Sequence, residues 1–301
     1  MTEATITLFM TGVLTAFGFA VPVYAPKSPV VVTPTPPPPI IVTLDDSFTA
    51  KEVLAFNVLD GKRTVDVSSD NAVPIASITK IMTALVALDF LFPEEQVKLT
   101  KEAAETQGDV GHLRAGEWFS VRDFMRAMMM SSSNDAAMAI AEETGGRMGG
   151  DTFEEKISRF VEAMNRSAQA LGMKNTRFEN PTGLDFHSGD ATNYSSANDL
   201  ALLVQATRSA PLIWEFSRDE RRTIYSDRGR GYSLFNLNEL IGQIPHFIGS
   251  KTGSTSAAGD SLIFLYEYPL GTPRAVILLG TASGKRFEEA ERILARIMSV
   301  L

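Results

Sequence analysis

Eight of the chain's 15 prolines fall between Pro22 and Pro39, the last four in a row. Proline has no backbone N–H and its ring blocks the preceding helical turn, so neither a helix nor an inner sheet strand can run through this stretch. The chain is therefore divided before any other pattern is considered. Residues 26 to 42 (PKSPVVVTPTPPPPIIV) show no helical or alternating period, which leaves extended polyproline II at about 3.1 Å per residue. We read 26–44 as a semi-rigid stalk; an SH3-type ligand is a second reading of the same prolines.

On the N-terminal side, Ala4 to Pro26 is a run of 23 residues without a charge. At a rise of about 1.5 Å per residue, the part before Pro22 nearly crosses a bilayer core. The stalk would isolate such a helix from any folded core, so 1–25 is expected to be a membrane anchor or a signal segment. Val23-Tyr24-Ala25 has the small-residue character of a cleavage site. Pro26 directly after it, and the lack of a Lys or Arg before the apolar run, argue for retention, and the sequence leaves both outcomes open.

Beyond the stalk, residues 45–301 suffice for one large domain or two closely packed ones. An apolar share of 44% against 21% charged is that of a chain with a packed core. A net charge of −8, with no basic run longer than Arg221-Arg222, leaves no footprint for nucleic acid. The absence of Cys removes thiol catalysis, disulfides and Cys-based metal sites. His112, His187 and His246 lack metal-ligand spacing, so neither a metal nor another cofactor is expected.

Val53 to Leu59 and Arg63 to Val67 flank Asp60-Gly61, a hairpin signal. A helix is expected from near Ser77, followed by helices over Val121 to Met130, Asp135 to Thr144, Phe153 to Leu171 and Asn198 to Thr207. After Gly253 the period changes to strands over Ser261 to Tyr268 and Arg274 to Leu279, with a last helix over Lys285 to Val300. Strands at both ends and helices between them predict an α/β domain of α+β type, with one sheet built from both ends of the chain. The closing helix carries Ile293, Leu294, Ile297 and Leu301 on one side and balanced charges on the other. It is expected to pack on the sheet, because it lacks the Lys-rich face of a membrane-surface helix.

Three short motifs could carry chemistry. Ser77-Ile78-Thr79-Lys80 is the only Ser-x-x-Lys in the chain; one helical turn places the lysine amine within reach of the serine hydroxyl, and burial beside a second cation favours the neutral amine that a base needs. A helix-capping serine with a solvated lysine is the plain reading of the same four residues. Lys251-Thr252-Gly253 offers a cation, a hydroxyl and a residue without Cβ that lets backbone approach closely, which suits a peptide carboxylate. Ser-x-Asn occurs three times. Ser69-Asp70-Asn71 reads as a polar turn and Ser196-Ala197-Asn198 as a helix cap with Asp199. Ser132-Ser133-Asn134, between two helices, is either a cap with Asp135 or part of a site.

In this order the three motifs form the set found in penicillin-binding proteins and class A β-lactamases. The segments PIASITKIMTALVAL, MMMSSSNDAAMAIAE, ALGMKNTRFENPTGLD, SSANDLALLVQA and GSKTGSTSAAG closely resemble the serine D-Ala-D-Ala carboxypeptidases among low-molecular-mass penicillin-binding proteins, over about residues 45 to 301. The resemblance implies an antiparallel sheet of about five strands with flanking helices plus a helical subdomain, the β-lactamase/transpeptidase-like fold. It further implies that Ser77 attacks the carbonyl between two terminal D-alanines while Lys80 takes its proton. Ser132 would relay a proton to the leaving D-alanine and Asn134 would orient the substrate amide. Lys251, Thr252 and Gly253 would bind the terminal carboxylate, and the backbone N–H groups of Ser77 and Ser254 would form the oxyanion hole. The implied partners are peptidoglycan stem peptides and, as covalent inhibitors, β-lactam antibiotics. The implied location is outside the cytoplasmic membrane, anchored by the N-terminal segment or secreted if it is cleaved.

A D,D-endopeptidase or transpeptidase would carry the same catalytic set and differ only in its groove. A class A β-lactamase needs a Glu-x-x-Leu-Asn base, for which Glu162-Ala163-Met164-Asn165 is one residue short. A catalytically silent wall-binding protein is the remaining alternative. Gly280 to Arg286 follows a strand and opens a helix as a P-loop does, but has three residues between its glycines where four are needed, and reads as a turn.

Overall fold

The computed structural model describes residues 42–45, 47–106, 112–185 and 190–301. The expected N-terminal segment and the stalk up to residue 41 lie outside the described residues. Strands β1 (Glu52–Asn57) and β2 (Arg63–Val67) form the expected hairpin. Next come β3 (Val73–Pro74), a 3₁₀ turn (Ala76–Thr79) and α1 (Lys80–Leu88). A helical stretch follows, made of β4 (Gln96–Lys98), α2 (Lys101–Ala104), β5 (Trp118–Ser120), α3 (Val121–Met130), α4 (Asn134–Arg147) and α5 (Phe153–Ala170). The chain continues through β6 (Tyr194–Ser195), α6 (Ala197–Ala206), α7 (Leu212–Glu215) and the β7 (Arg221–Tyr225) and β8 (Gly231–Phe235) hairpin. It ends with β9 (Phe247–Thr255), β10 (Gly259–Glu267), β11 (Pro273–Thr281) and α8 (Arg286–Met298).

The main sheet has five antiparallel strands in the order β2-β1-β11-β10-β9, so the two ends of the chain meet where Glu52 to Asn57 pair with Leu279 to Arg274. Successive side chains of a strand point to opposite faces, and here both faces are covered. Leu54, Phe56, Ile263, Leu265, Ile277 and Leu279 face the helical layer with α1, α3, α4 and α6. Val53, Val65, Leu262, Phe264, Val276 and Leu278 face Ala290, Ile293, Leu294 and Ile297 of α8. The closing helix thus packs on the sheet as expected, apart from Leu301, which is exposed.

Two boundaries differ from the sequence reading. Val42 and Leu44, assigned to the stalk, pack beside α8, and the Val42 N–H donates to the Thr64 carbonyl at 2.7 Å. Lys251-Thr252-Gly253 lies inside β9, not before a strand. Gly249, Ser250, Lys251 and Gly253 have low strand propensity, so pairing with β10 determines this strand. Among the described residues, no helix is long and apolar enough to cross a membrane.

Candidate active site

Ser77 sits in the 3₁₀ turn, where residues three apart eclipse one another, and so lies directly under Lys80 at the start of α1. Ser77 makes no capping hydrogen bond; its hydroxyl is 2.9 Å from Lys80 Nζ. Lys80 is fully buried, and its Nζ also donates to Asn134 Oδ1 at 2.8 Å and to the Thr182 carbonyl at 2.7 Å.

Asn180 shapes the loop that supplies that carbonyl. Its Oδ1 accepts from the N–H groups of Thr182 (3.0 Å) and Gly183 (2.7 Å), while its Nδ2 donates to the Leu184 carbonyl (3.0 Å) and Thr192 Oγ1 (2.8 Å). Thr83 Oγ1 donates to the Pro181 carbonyl at 2.7 Å and ties the loop to α1. The sequence pattern marked this loop without giving it a task, and the geometry supplies one: it holds the inner end of Lys80.

The connection between α3 and α4 settles the ambiguity of Ser132-Ser133-Asn134. Ser133 is the cap, accepting from the Ala136 N–H at 3.2 Å. Ser132, at φ 59°, and Asn134 are turned to the two lysines. On β9, Lys251 Nζ donates to Ser132 Oγ at 3.0 Å and to the Thr252 carbonyl at 2.7 Å. Burial pushes the Lys251 amine well below the usual lysine range, and the charges of Lys80 and Arg286 push it the same way.

β9 is an edge strand and lies against the Ser77 turn. A Cβ on Gly253 would stand 2.9 Å from the Ile75 carbonyl oxygen and 3.2 Å from the Ser77 nitrogen, so only glycine lets strand and turn approach this closely. Ser254 follows, its hydroxyl donating to Asp260 Oδ1 at 2.6 Å. Arg286, which the sequence placed only at the end of a turn, donates to the Gly253 carbonyl at 3.2 Å and faces Asp260 at 3.7 Å. Ser77, Lys80, Ser132, Asn134, Lys251 and Gly253 are therefore brought to one cleft between the sheet edge and the helical layer, whereas Thr252 and Ser254, opposite Leu262 and Asp260 in the register, border it through their backbone and carry their side chains on the α8 face. Glu162 is not among them; it lies on the exposed face of α5, paired with Arg166 at 3.6 Å.

The sequence model of the D-alanyl-D-alanine carboxypeptidase family of peptidases matches residues 40–266. The chain belongs to the D-alanyl-D-alanine carboxypeptidase family. It is 35% identical over 268 residues to a D-alanyl-D-alanine endopeptidase of Pseudomonas aeruginosa, covering 87% of this chain and 81% of that one. The Streptomyces K15 DD-transpeptidase, solved as a serine-to-alanine variant, superposes with a TM-score of 0.77 at 25% identity over 85% of this chain and all of its own. Penicillin-binding protein D2 of Listeria monocytogenes, solved with cefotaxime bound, gives 0.70 at 27% identity, covering 85% of this chain and 100% of that one. Membership in this carboxypeptidase family makes the chain a serine peptidase, a hydrolase, and agrees with the fold and chemistry that the motifs implied.

Proposed function

We propose that the chain is a serine-type D-Ala-D-Ala carboxypeptidase that removes the terminal D-alanine from peptidoglycan stem pentapeptides through an acyl-enzyme on Ser77. The observation that carries this reading is the setting of Lys80. The Asn134 and Thr182 oxygens can only accept hydrogen bonds. They fix the Lys80 amine 2.9 Å from the Ser77 hydroxyl, within reach of the proton that the serine must lose.

Ser77 Oγ then attacks the scissile carbonyl as its proton passes to Lys80. Negative charge builds on the carbonyl oxygen, where the N–H groups of Ser77 and Ser254 stabilise it; stabilisation of this kind commonly contributes more to the rate of acyl transfer than any other effect. Collapse of the intermediate breaks the C–N bond, and Ser132 relays a proton to the departing amine. Lys251 holds the carboxylate of the leaving residue, and that anion in turn favours the charged form of the buried lysine. Water hydrolyses the ester with Lys80 again as base. β-Lactams present a similar acyl group and acylate the same oxygen.

Labelled penicillin tests the nucleophile: the wild type is expected to take a covalent label that Ser77→Ala loses, and an unlabelled wild type overturns the reading. The similarity to an endopeptidase supports a second reading, hydrolysis of cross-links between stems. Comparing D-alanine release from a pentapeptide with cleavage of cross-linked dimers separates the two. The apolar run at 1–25 and the stalk fit a domain held outside the cytoplasmic membrane, at up to about 50 Å for the 16 residues 26–41 if extended. Sequencing the N-terminus of the mature protein decides between anchor and cleaved signal.

A further inference from the structure

The two walls of the cleft differ. The wall beside Ser77 and Lys80 is the loop at 180–184. The wall beside Ser132 and Lys251 is the end of the β7–β8 hairpin: Ser131 Oγ donates to the Phe235 carbonyl at 3.1 Å, the Leu237 N–H to the Met130 carbonyl at 3.1 Å, and Asn238 Nδ2 to Ser250 Oγ at 3.0 Å. Ser131 and Ser250 each immediately precede a residue of the site. The hairpin therefore borders the side on which the proposed mechanism places the leaving group.

Directly opposed residues of an antiparallel pair share a face. Ile224 with Tyr232, and Leu234 with Arg222, form the inner face, where Ile224 and Leu234 are buried. Arg221 with Phe235, Thr223 with Ser233, and Tyr225 with Gly231 form the outer one. On it Tyr225 is 61% and Phe235 59% exposed, two large aromatic rings in water on one short hairpin. Arg222 and Arg230 are paired with Asp219 and Glu117, whereas exposed Arg221 makes no ion pair among the described residues. The face thus combines rings, hydroxyls and an uncommitted guanidinium, and it runs about 14 Å from the cleft at 3.4 Å per residue.

We propose that this face binds the leaving-group half of a cross-linked substrate, a second and acidic stem peptide. A departing D-alanine ends at its carboxylate and has nothing to lay on such a surface. A cross-linked stem continues past the scissile bond as a peptide with carboxylates of its own, which match Arg221 in charge and the hairpin in length. The assignment rests on the acyl-transfer reading above and selects cross-link hydrolysis as an activity of the same site.

The test uses the full chain with the double substitution Phe235→Ala and Arg221→Glu, both at exposed side chains, compared with the wild type on a cross-linked muropeptide dimer, a monomeric pentapeptide and labelled penicillin. For the dimer, kcat/KM is expected to fall ten-fold or more, chiefly through KM. Pentapeptide turnover, penicillin acylation and Tm stay within two-fold, or two degrees, of the wild type. Unchanged dimer cleavage, or an equal fall on the pentapeptide, overturns the proposal. A wild type that releases D-alanine but leaves the dimer intact overturns it too and spares the carboxypeptidase reading; a wild type that penicillin does not label overturns both.

Discussion

A Cβ at position 183 would lie 1.9 Å from the Ala76 carbonyl oxygen and 2.9 Å from the Ser77 nitrogen, and the backbone there has φ 83°. Gly183→Ala therefore displaces either the supporting loop or the turn that carries the nucleophile. We expect penicillin acylation to slow by about 100-fold, because sub-ångström placement of the attacking oxygen sets the rate. Lys251 gives a second prediction, with a sign. Its folded pKa is depressed, so the cost of burying the charge is fully present below that pKa and disappears as pH rises from there into the usual lysine range. Lys251→Met should abolish activity yet raise stability at neutral pH. The gap in Tm from the wild type should narrow as pH approaches 10; a constant gap in thermal melts would contradict burial as the cause. Much of this chemistry is legible in sequence because Ser77, Lys80 and Lys251 fall in short spacings. The Thr182 carbonyl and Arg286 are not, since a backbone oxygen has no residue signature and Arg286 reaches Gly253 only through the fold.

At the scale of elements, the strongly periodic helices match the expected ones closely, with α3 over the full predicted span and α8 within two residues at each end. The β7–β8 hairpin was not expected, because Arg221 to Tyr225 buries only Ile224 and offers no apolar alternation to read. Its inner face is held by Glu117, which is buried and accepts from Tyr232 Oη at 2.5 Å and from Arg230 Nε at 3.1 Å. Burial pushes this carboxyl up, but the Tyr232 hydroxyl and Arg230 outweigh it and hold the pKa below the usual glutamate range. Its contribution to stability is therefore complete above that range and is lost as pH falls through the depressed folded value. Tyr232→Phe removes a donor from a buried carboxylate and should cost about 1–3 kcal/mol. Amide exchange in β8 is the direct readout: faster exchange confined to the hairpin is expected, whereas uniform loss of protection would mean that Glu117 serves the whole domain.

For the whole molecule, the sheet closes by pairing β1 with β11, and α8 covers the face that this closure leaves open. The sequence allowed both ends to contribute strands, but strand order could not be read, since nothing local says that Glu52 meets Leu279. The same closure fixes where the domain begins. Thr49 donates through its N–H (2.8 Å) and hydroxyl (2.5 Å) to the buried Glu289 carboxylate, Arg296 donates to the Thr43 carbonyl at 2.9 Å, and Arg292 stacks over the Phe48 ring at 4.1 Å. Residues 42–45 and 47–50 thus fasten α8 and belong to the domain, although 42–44 read as stalk from their neighbouring prolines. A chain starting at Val42 should keep the Tm of the full chain within about two degrees and its penicillin acylation rate, and it should appear in the soluble fraction if 1–25 is the anchor. A chain starting at Lys51 leaves Glu289 buried without these donors, at about 1–3 kcal/mol, and should melt several degrees lower. Equal melting temperatures for the two would move the start of the stable domain forward to Lys51 and leave α8 held by its apolar face alone.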